Sequence, residues 1–298
     1  MRLLLVLLLA AAAAAVVANA GAESVLREVT DVPTAVSSAA ADALFCDSWM
    51  LSVETGNMGP WRQVPRRCGA FVRAYMEGER YKSDSAVVAA ESLAFAAQAI
   101  ASGEGGARPA WVFDVDETLL SNAHYYAVSG WGATQTSVES HLSAQTSQYN
   151  DPSPAIRSHG EAISSFLASR LVEFNETSFD AWVDVRKAPA LPYSLKLYHE
   201  LQRLGFHIIL LTGRSESQRH ATGANLLFAG YHSWEKLILR QPCDIGKTAV
   251  QYKSERRAAM EVEGFKILGN SGDQWSDLIG LPVSTRSFKL PNPMYYIS

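Results

Sequence analysis

Residues 206–214 read FHIILLTGR, and the apolar run HIILL shows no alternation of polar and apolar side chains. A strand with one face in water alternates, whereas a strand that is apolar at every position is buried on both faces, as in a parallel sheet covered by helices. Helical patterns flank this run. Residues 191–205, LPYSLKLYHELQRLG, place Leu195, Tyr198, Leu201 and Leu204 on one face and stop at Gly205. Residues 217–230 repeat that form and also stop at a glycine, 236–240 (KLILR) read as a strand, 254–264 as a helix, and 265–278 open as another strand. Upstream, AWVFDVD at 110–116 is a further short apolar run, and 84–102 is an Ala-rich helix with Asp84 placed to cap it. Strands alternating with helices imply βαβ crossovers, so the expected fold is α/β, a doubly wound, Rossmann-like parallel sheet.

The first strand ends in acid. FDVDETLLS (113–121) sets Asp114, Asp116 and Glu117 at the end of a buried run, with Thr118 behind them. Acidic groups are almost never buried unless they are paired or bound to a cation. Three other polar features follow strands or precede a helix: Thr212-Gly213-Arg214 after HIILL, Lys253 ahead of the 254–264 helix, and Asp273 with Asp277 after FKILGNSG. In a parallel sheet the carboxyl ends of the strands gather on one edge, so these four segments converge. Clustered carboxylates repel one another unless a hard cation sits among them, and oxygen ligands suit Mg²⁺. A lysine and turns that expose backbone N–H groups add a place for phosphate. A carboxylate can attack phosphorus, and a second carboxylate two residues on can protonate the leaving alkoxide and then activate water. A dehalogenase has no alkoxide for that second group to protonate. The seven histidines show no zinc-type spacing.

In strand context, D-x-D-x-T resembles the first motif of the haloacid dehalogenase (HAD) superfamily of phosphatases. Thr212, Lys253 and Asp273/Asp277 match the second, third and fourth motifs in order. CDSWMLSVETGN, WRQVPRRC, APALPYSLKLY, LTGR, YKSERR and ILGNSGDQWSDL are similar to the plant acid phosphatase and vegetative storage protein group, related to bacterial class B and class C acid phosphatases. The likeness covers roughly residues 44–298. It implies a HAD-like sheet, a helical lead-in, and a cap inserted after the first core strand at about 122–188. It implies Asp114 as nucleophile and Mg²⁺ ligand, and Asp116 as acid/base with its carbonyl on the metal. Thr212 and Gly213 would bind phosphate. Lys253, preferred over Lys247 because of its YKSERR setting, would neutralise it, and Asp273 and Asp277 would complete the metal site. His124, Tyr125 and Tyr126, and after them Trp131, are candidates to face substrate. Residues 130–172 are polar and longer than the family's cap. Two activities compete: a Mg²⁺-dependent acid phosphatase acting on small phosphomonoesters, and a nitrogen-storage protein with little or no activity. Some storage members lack the nucleophilic carboxylate, and Asp114 is present here. A homodimer is plausible from the family.

Composition bounds the rest. A net charge of -4 over 298 residues, with no basic cluster beyond KSERR at 253–257, argues against nucleic acid as partner. MRLLLVLLLAAAAAAVVANA has the charged start, apolar middle and A-x-A end of a signal peptide, with cleavage expected after Ala20. Residues 21–44 read as a flexible arm, 45–298 as the phosphatase-like domain. No later stretch reads as apolar enough to span a membrane, so a secreted or vacuolar protein free of the membrane is expected. Cys46 and Cys68 could close a loop of about 20 residues worth roughly 3 kcal/mol. Cys243 is left over, either a buried thiol or a link to a partner chain. Asn175-Glu176-Thr177 is a glycosylation sequon and predicts a surface position.

Overall fold

The computed structural model describes residues 38–61, 63–128 and 176–297. The chain divides into two units, Met1–Leu44 and Phe45–Ser298. Of the first unit, the described residues are the opening turns of helix α1 (Ser38–Glu54), so the last part of the expected arm is helical. The leader at 1–20 lies outside the described residues. So do 129–175, which hold most of the expected cap insertion, Trp131 and Asn175.

The second unit is built on five strands: β1 (Pro109–Phe113), β2 (His207–Ser215), β3 (Lys236–Arg240), β4 (Lys266–Gly272) and β5 (Arg286–Lys289). They form one sheet in the order β3-β2-β1-β4-β5, and every neighbouring pair is parallel. The helices after α1 are α2 (Gly69–Glu77), α3 (Glu79–Ala101), α4 (Ala123–Val128), α5 (Glu176–Val185), α6 (Pro192–Arg203), α7 (Arg219–Phe228), α8 (Ala249–Val262) and the single turn α9 (Trp275–Leu278). From β1 the chain moves outward through β2 and β3, then crosses to β4 and β5 on the other side. Ligands bind at such a reversal, outside the carboxyl ends of the strands.

Both faces of the sheet are covered. Trp111, Phe113, Ile208, Leu210 and Phe288 share a core with Ala96 and Ala99 of α3 and with Leu197, Tyr198 and Leu201 of α6. Ala110, Val112, Ile209, Leu211 and Ile267 pack instead with Tyr252 and Met260 of α8. Ile208 to Leu211 are each at most 1% exposed. Their burial is worth roughly 6–12 kcal/mol before the entropy of ordering is charged against it. Gly269 makes room for this core: a Cβ there would run into the Trp111 ring. Trp111 in turn donates its Nε1–H to Ser271 Oγ at 2.9 Å, which ties the end of β4 to β1.

Three local expectations are corrected. Helix α3 begins at Glu79 after Gly78, so Asp84 sits inside it and accepts the Tyr75 hydroxyl at 2.8 Å instead of capping the helix. It is 23 residues long, and an 18-residue window within it, at mean hydropathy 1.2, is long and apolar enough by length and composition to cross a membrane. Ala96 and Ala99 of this helix pack into the sheet core. Helix α8 begins at Ala249, because Thr248 Oγ1 accepts the Gln251 N–H at 3.1 Å, so Lys253 lies within the helix and not ahead of it.

A second apolar cluster joins the lead-in to the far end of the chain. Trp49, Val53, Trp61, Val72 and Tyr75 pack with Tyr126, Leu290 and Met294. A disulfide between Cys46 and Cys68 staples α1 to the turn before α2. Cys243 is free and exposed, which removes the buried-thiol alternative.

Candidate active site

The turn after β1 leaves the sheet between β2 and β4. The Asp114 N–H still pairs with Ser271 C=O at 2.9 Å, as though β1 continued. Then Glu117 adopts φ +50, a left-handed conformation that a non-glycine residue reaches at a cost of roughly 1–3 kcal/mol. Neighbouring bonds hold it there. The Glu117 N–H donates to Leu120 C=O at 2.8 Å, and the Glu117 carboxylate accepts the Asn122 N–H at 2.5 Å, the Asn122 amide at 3.1 Å and the Tyr295 hydroxyl. Burial, then the charge of Asp116, pushes the Glu117 carboxyl up to about 7.

Asp114, Asp273 and Asp277 are all buried, and one oxygen from each lies within 4.8 Å of the others. Lys253 reaches this group from the first turns of α8. Its Nζ donates to Asp114 Oδ1 at 2.5 Å and also to Asp277 Oδ1, with all three side chains at most 8% exposed. Burial opposes the lysine's charge, but Asp114 and Asp277 outweigh it and raise its pKa. Burial pushes the Asp114 carboxyl well above its ordinary range; Lys253 pulls it down, while Asp277, Asp273 and Asp116 push it further up. Gly272 is what lets Asp277 approach, since a Cβ at that position would collide with the Asp277 side chain. The Gln274 N–H donates to Asp277 Oδ2 at 3.0 Å.

Asp116 faces different company. Arg214 Nε and Nη2 donate to its two oxygens at 3.0 and 2.7 Å, and Asn122 Nδ2 donates to Oδ1 at 2.8 Å. Burial works against its charge, but Arg214 and these hydrogen bonds prevail and hold the carboxyl below its ordinary value. Arg214 also donates to Thr222 on α7 at 3.1 Å. Its backbone N–H donates to Thr212 Oγ1 at 3.2 Å, within the irregular stretch of β2 where the pairing with β3 shifts register between Leu211 and Ser215. Thr212 is fully buried and Gly213 is exposed.

The convergence expected from the four motifs is therefore present for the three carboxylates and Lys253, and Thr212 joins through Arg214. Lys247 pairs with Asp244 at 2.9 Å and Glu255 at 2.5 Å, not with the site carboxylates. Among the substrate-facing candidates, His124 is exposed. Tyr125 and Tyr126 belong to the second apolar cluster, Tyr125 bonded to Ser178 Oγ at 2.7 Å and Tyr126 stacked on Tyr295 at 5.0 Å. The sequence assigned no role to Arg214, Asn122, Glu117, Asn292 or Tyr295. Arg214 carried a signal, as the next residue in the Thr-Gly turn. Asn292 and Tyr295 carried none.

The donor set fits a hard divalent cation. Each of the three residues offers a carboxylate oxygen, these oxygens lie within 4.8 Å of one another, and hard oxygen donors of this kind are the ligands Mg²⁺ takes.

Residues 33–155 and 167–298 match the HAD superfamily, subfamily IIIB (acid phosphatase). The chain belongs to this family. The gap between the two matched segments, 156–166, falls inside the polar stretch that looked longer than the family's cap. Acid phosphatase 1 of Solanum lycopersicum is 46% identical over 256 residues, covering 86% of this chain and 85% of that protein. Vegetative storage protein 1 of Arabidopsis thaliana is 33% identical over 254 residues, covering 85% and 78%. The class C acid phosphatase from Bacillus anthracis shares the fold, with a TM-score of 0.55 at 20% identity over 76% of this chain and 85% of that one.

Proposed function

We propose that this acid phosphatase family member hydrolyses small phosphomonoesters with Mg²⁺ through an aspartyl-phosphate on Asp114. The observation that carries the reading is the Asp114 carboxylate, buried beside Lys253 within a triad of oxygen donors. Asp114, Asp273 and Asp277, with the Asp116 carbonyl, would hold Mg²⁺, whose charge would offset the carboxylates and the phosphoryl oxygens. An Asp114 oxygen attacks phosphorus in line, and the bond from phosphorus to the leaving oxygen breaks. Lys253 orients Asp114 and carries positive charge toward the phosphoryl group, and Thr212 and the Gly213 N–H offer donors to its oxygens. Asp116 protonates the leaving alkoxide and then takes a proton from the water that cleaves the aspartyl-phosphate. The Arg214 pair favours ionised Asp116, the form needed for the second step. Protonating the alkoxide in the first step requires that pair to open.

The storage reading takes support from the 33% identity to vegetative storage protein 1. The intact carboxylates and Lys253 count against it. The Cys46–Cys68 disulfide supports an oxidising compartment, in keeping with secretion or vacuolar delivery after cleavage near Ala20. The deciding experiment is release of p-nitrophenol from p-nitrophenyl phosphate at mildly acid pH, with Mg²⁺ and with EDTA, beside Asp114→Asn. Activity that needs both the metal and Asp114 is expected. Folded wild type and variant that are equally inert would leave the storage reading standing.

A further inference from the structure

Asp273 is held differently from its two neighbours. Asp114 and Asp277 share the Lys253 ammonium, whereas the described hydrogen bonds to the Asp273 carboxylate come from neutral groups. Its Oδ2 accepts Gln274 Nε2 at 2.7 Å and Asn292 Nδ2 at 2.7 Å. Its Oδ1 accepts Thr118 Oγ1 at 3.3 Å. With Oδ2 taken by two amides, Oδ1 is the oxygen left for a cation.

One of those amides arrives from the end of the chain. After β5, residues 290–297 turn back across the site as a strap. The Leu290 N–H pairs with Gly272 C=O at 2.9 Å, and Leu290 and Met294 are buried in the second apolar cluster. Lys289 Nζ donates to Glu54 Oε2 at 2.8 Å, and the Asn292 N–H to Glu54 Oε1 at 2.8 Å. Gln274 binds the same segment: its Nε2 donates to Tyr295 C=O at 3.3 Å and its Oε1 accepts the Ile297 N–H at 3.0 Å. Asn292 is 1% exposed, and its Oδ1 accepts the Met294 N–H at 2.9 Å. That bond settles which way the amide faces, because the oxygen must meet the N–H and the NH₂ must then meet the carboxylate.

We propose that Asn292 is a positioning residue for the metal site, holding Asp273 so that Oδ1 faces the cation, and that the C-terminal strap is thereby part of the site. The proposal rests on the reading of Asp114, Asp273 and Asp277 as metal ligands. Partners that orient a ligand from behind typically contribute 10- to 100-fold in metal affinity.

The test is Mn²⁺ binding to the purified full chain, followed by the electron paramagnetic resonance signal of free Mn²⁺, with Asp273→Asn giving the background. Thermal unfolding in EDTA is measured alongside. Asn292→Ala removes both amide bonds. Asn292→Ser keeps an oxygen for the Met294 N–H but is too short to reach Asp273. Both variants are expected to bind Mn²⁺ about 10- to 100-fold more weakly than wild type, with melting temperatures in EDTA within about 3 °C of it. Affinity within twofold of wild type in the folded variants overturns the proposal. So does a loss of affinity in both variants that is matched by a large fall in melting temperature, which would make Asn292 a general stabiliser. Absence of specific Mn²⁺ binding to wild type overturns the metal reading itself, and the proposal with it.

Discussion

Replacing Lys253 by methionine removes the cation that, among the described residues, bridges Asp114 and Asp277 while keeping most of the side chain's length. Each contact is a direct ion pair between side chains at most 8% exposed. At an effective dielectric near 20, each such pair is worth about 4 kcal/mol at 4 Å. Methionine also relieves the cost of burying an ammonium, several kcal/mol, which cancels about half of that. The remaining loss is about 3–5 kcal/mol, the usual result of leaving a buried charge without its partner. For a unit of this size that is a fall of roughly 10 °C in melting temperature, measured in EDTA at about pH 7.5. Mg²⁺ bound as proposed would place positive charge back among the carboxylates. The rise in melting temperature on adding it is therefore larger in Lys253→Met than in wild type. Turnover does not return, because the metal does not replace the ammonium's contact with Asp114. The expected loss in kcat/KM is about 10²- to 10³-fold, typical of deleting one donor to a developing anionic charge. A variant that melts within 2 °C of wild type in EDTA would show that Lys253 does not bridge the two carboxylates in solution. A kcat/KM within about threefold of wild type would remove Lys253 from the phosphoryl site.

Two further outcomes follow from the scaffold. Cys46→Ser with Cys68→Ser opens a loop of 22 residues and is expected to lose roughly 3 kcal/mol in urea unfolding; an unchanged midpoint would mean that the lead-in is held by its apolar cluster alone. Burial pushes the Asp244 carboxyl up, but the Gln241 N–H, Lys247 and Arg256 overcome that and hold it at about 2, below its unfolded value. Its contribution is therefore complete above about pH 4 and disappears as pH falls toward 2, worth about 1 kcal/mol after screening at its partly exposed partners. Asp244→Asn is expected to flatten that acid limb, and an unaltered pH dependence of unfolding would count against the pairing.

The legible parts of this protein are those whose physics is local. HIILL announces burial on both faces, and β2 occupies His207–Ser215 with apolar partners on each side. The D-x-D-x-T turn, Lys253 and the Asp273/Asp277 pair converge because a parallel sheet brings strand ends to one edge. Element starts were less legible: α8 begins five residues before the sequence pattern indicated, because Thr248 caps it, a hydrogen bond that hydropathy does not register. The direction of Asp116 was not legible at all. Two aspartates spaced two apart read alike, yet Asp114 meets a lysine from α8 while Asp116 meets Arg214 near the end of β2 and Asn122.

The strap shows the limit of motif reading. LPNPMYYIS contains no charge and no repeat of the kind that marks a catalytic loop, and its residues are among the last in the chain. Its importance comes from where β5 ends: Phe288 fills the core beside Trp111, the chain leaves the sheet at the edge where β4 delivers Asp273, and neutral amides suffice to orient a carboxylate. A residue that orients a ligand needs no charge, and a charge would be costly there, because a lysine at 292 would compete with the cation for Asp273. The same reasoning explains the division of labour in the site. Under the proposed mechanism, lysine stands on the carboxylate that would attack phosphorus, arginine on the one that would end as a base, and amides on the one that would hold the metal.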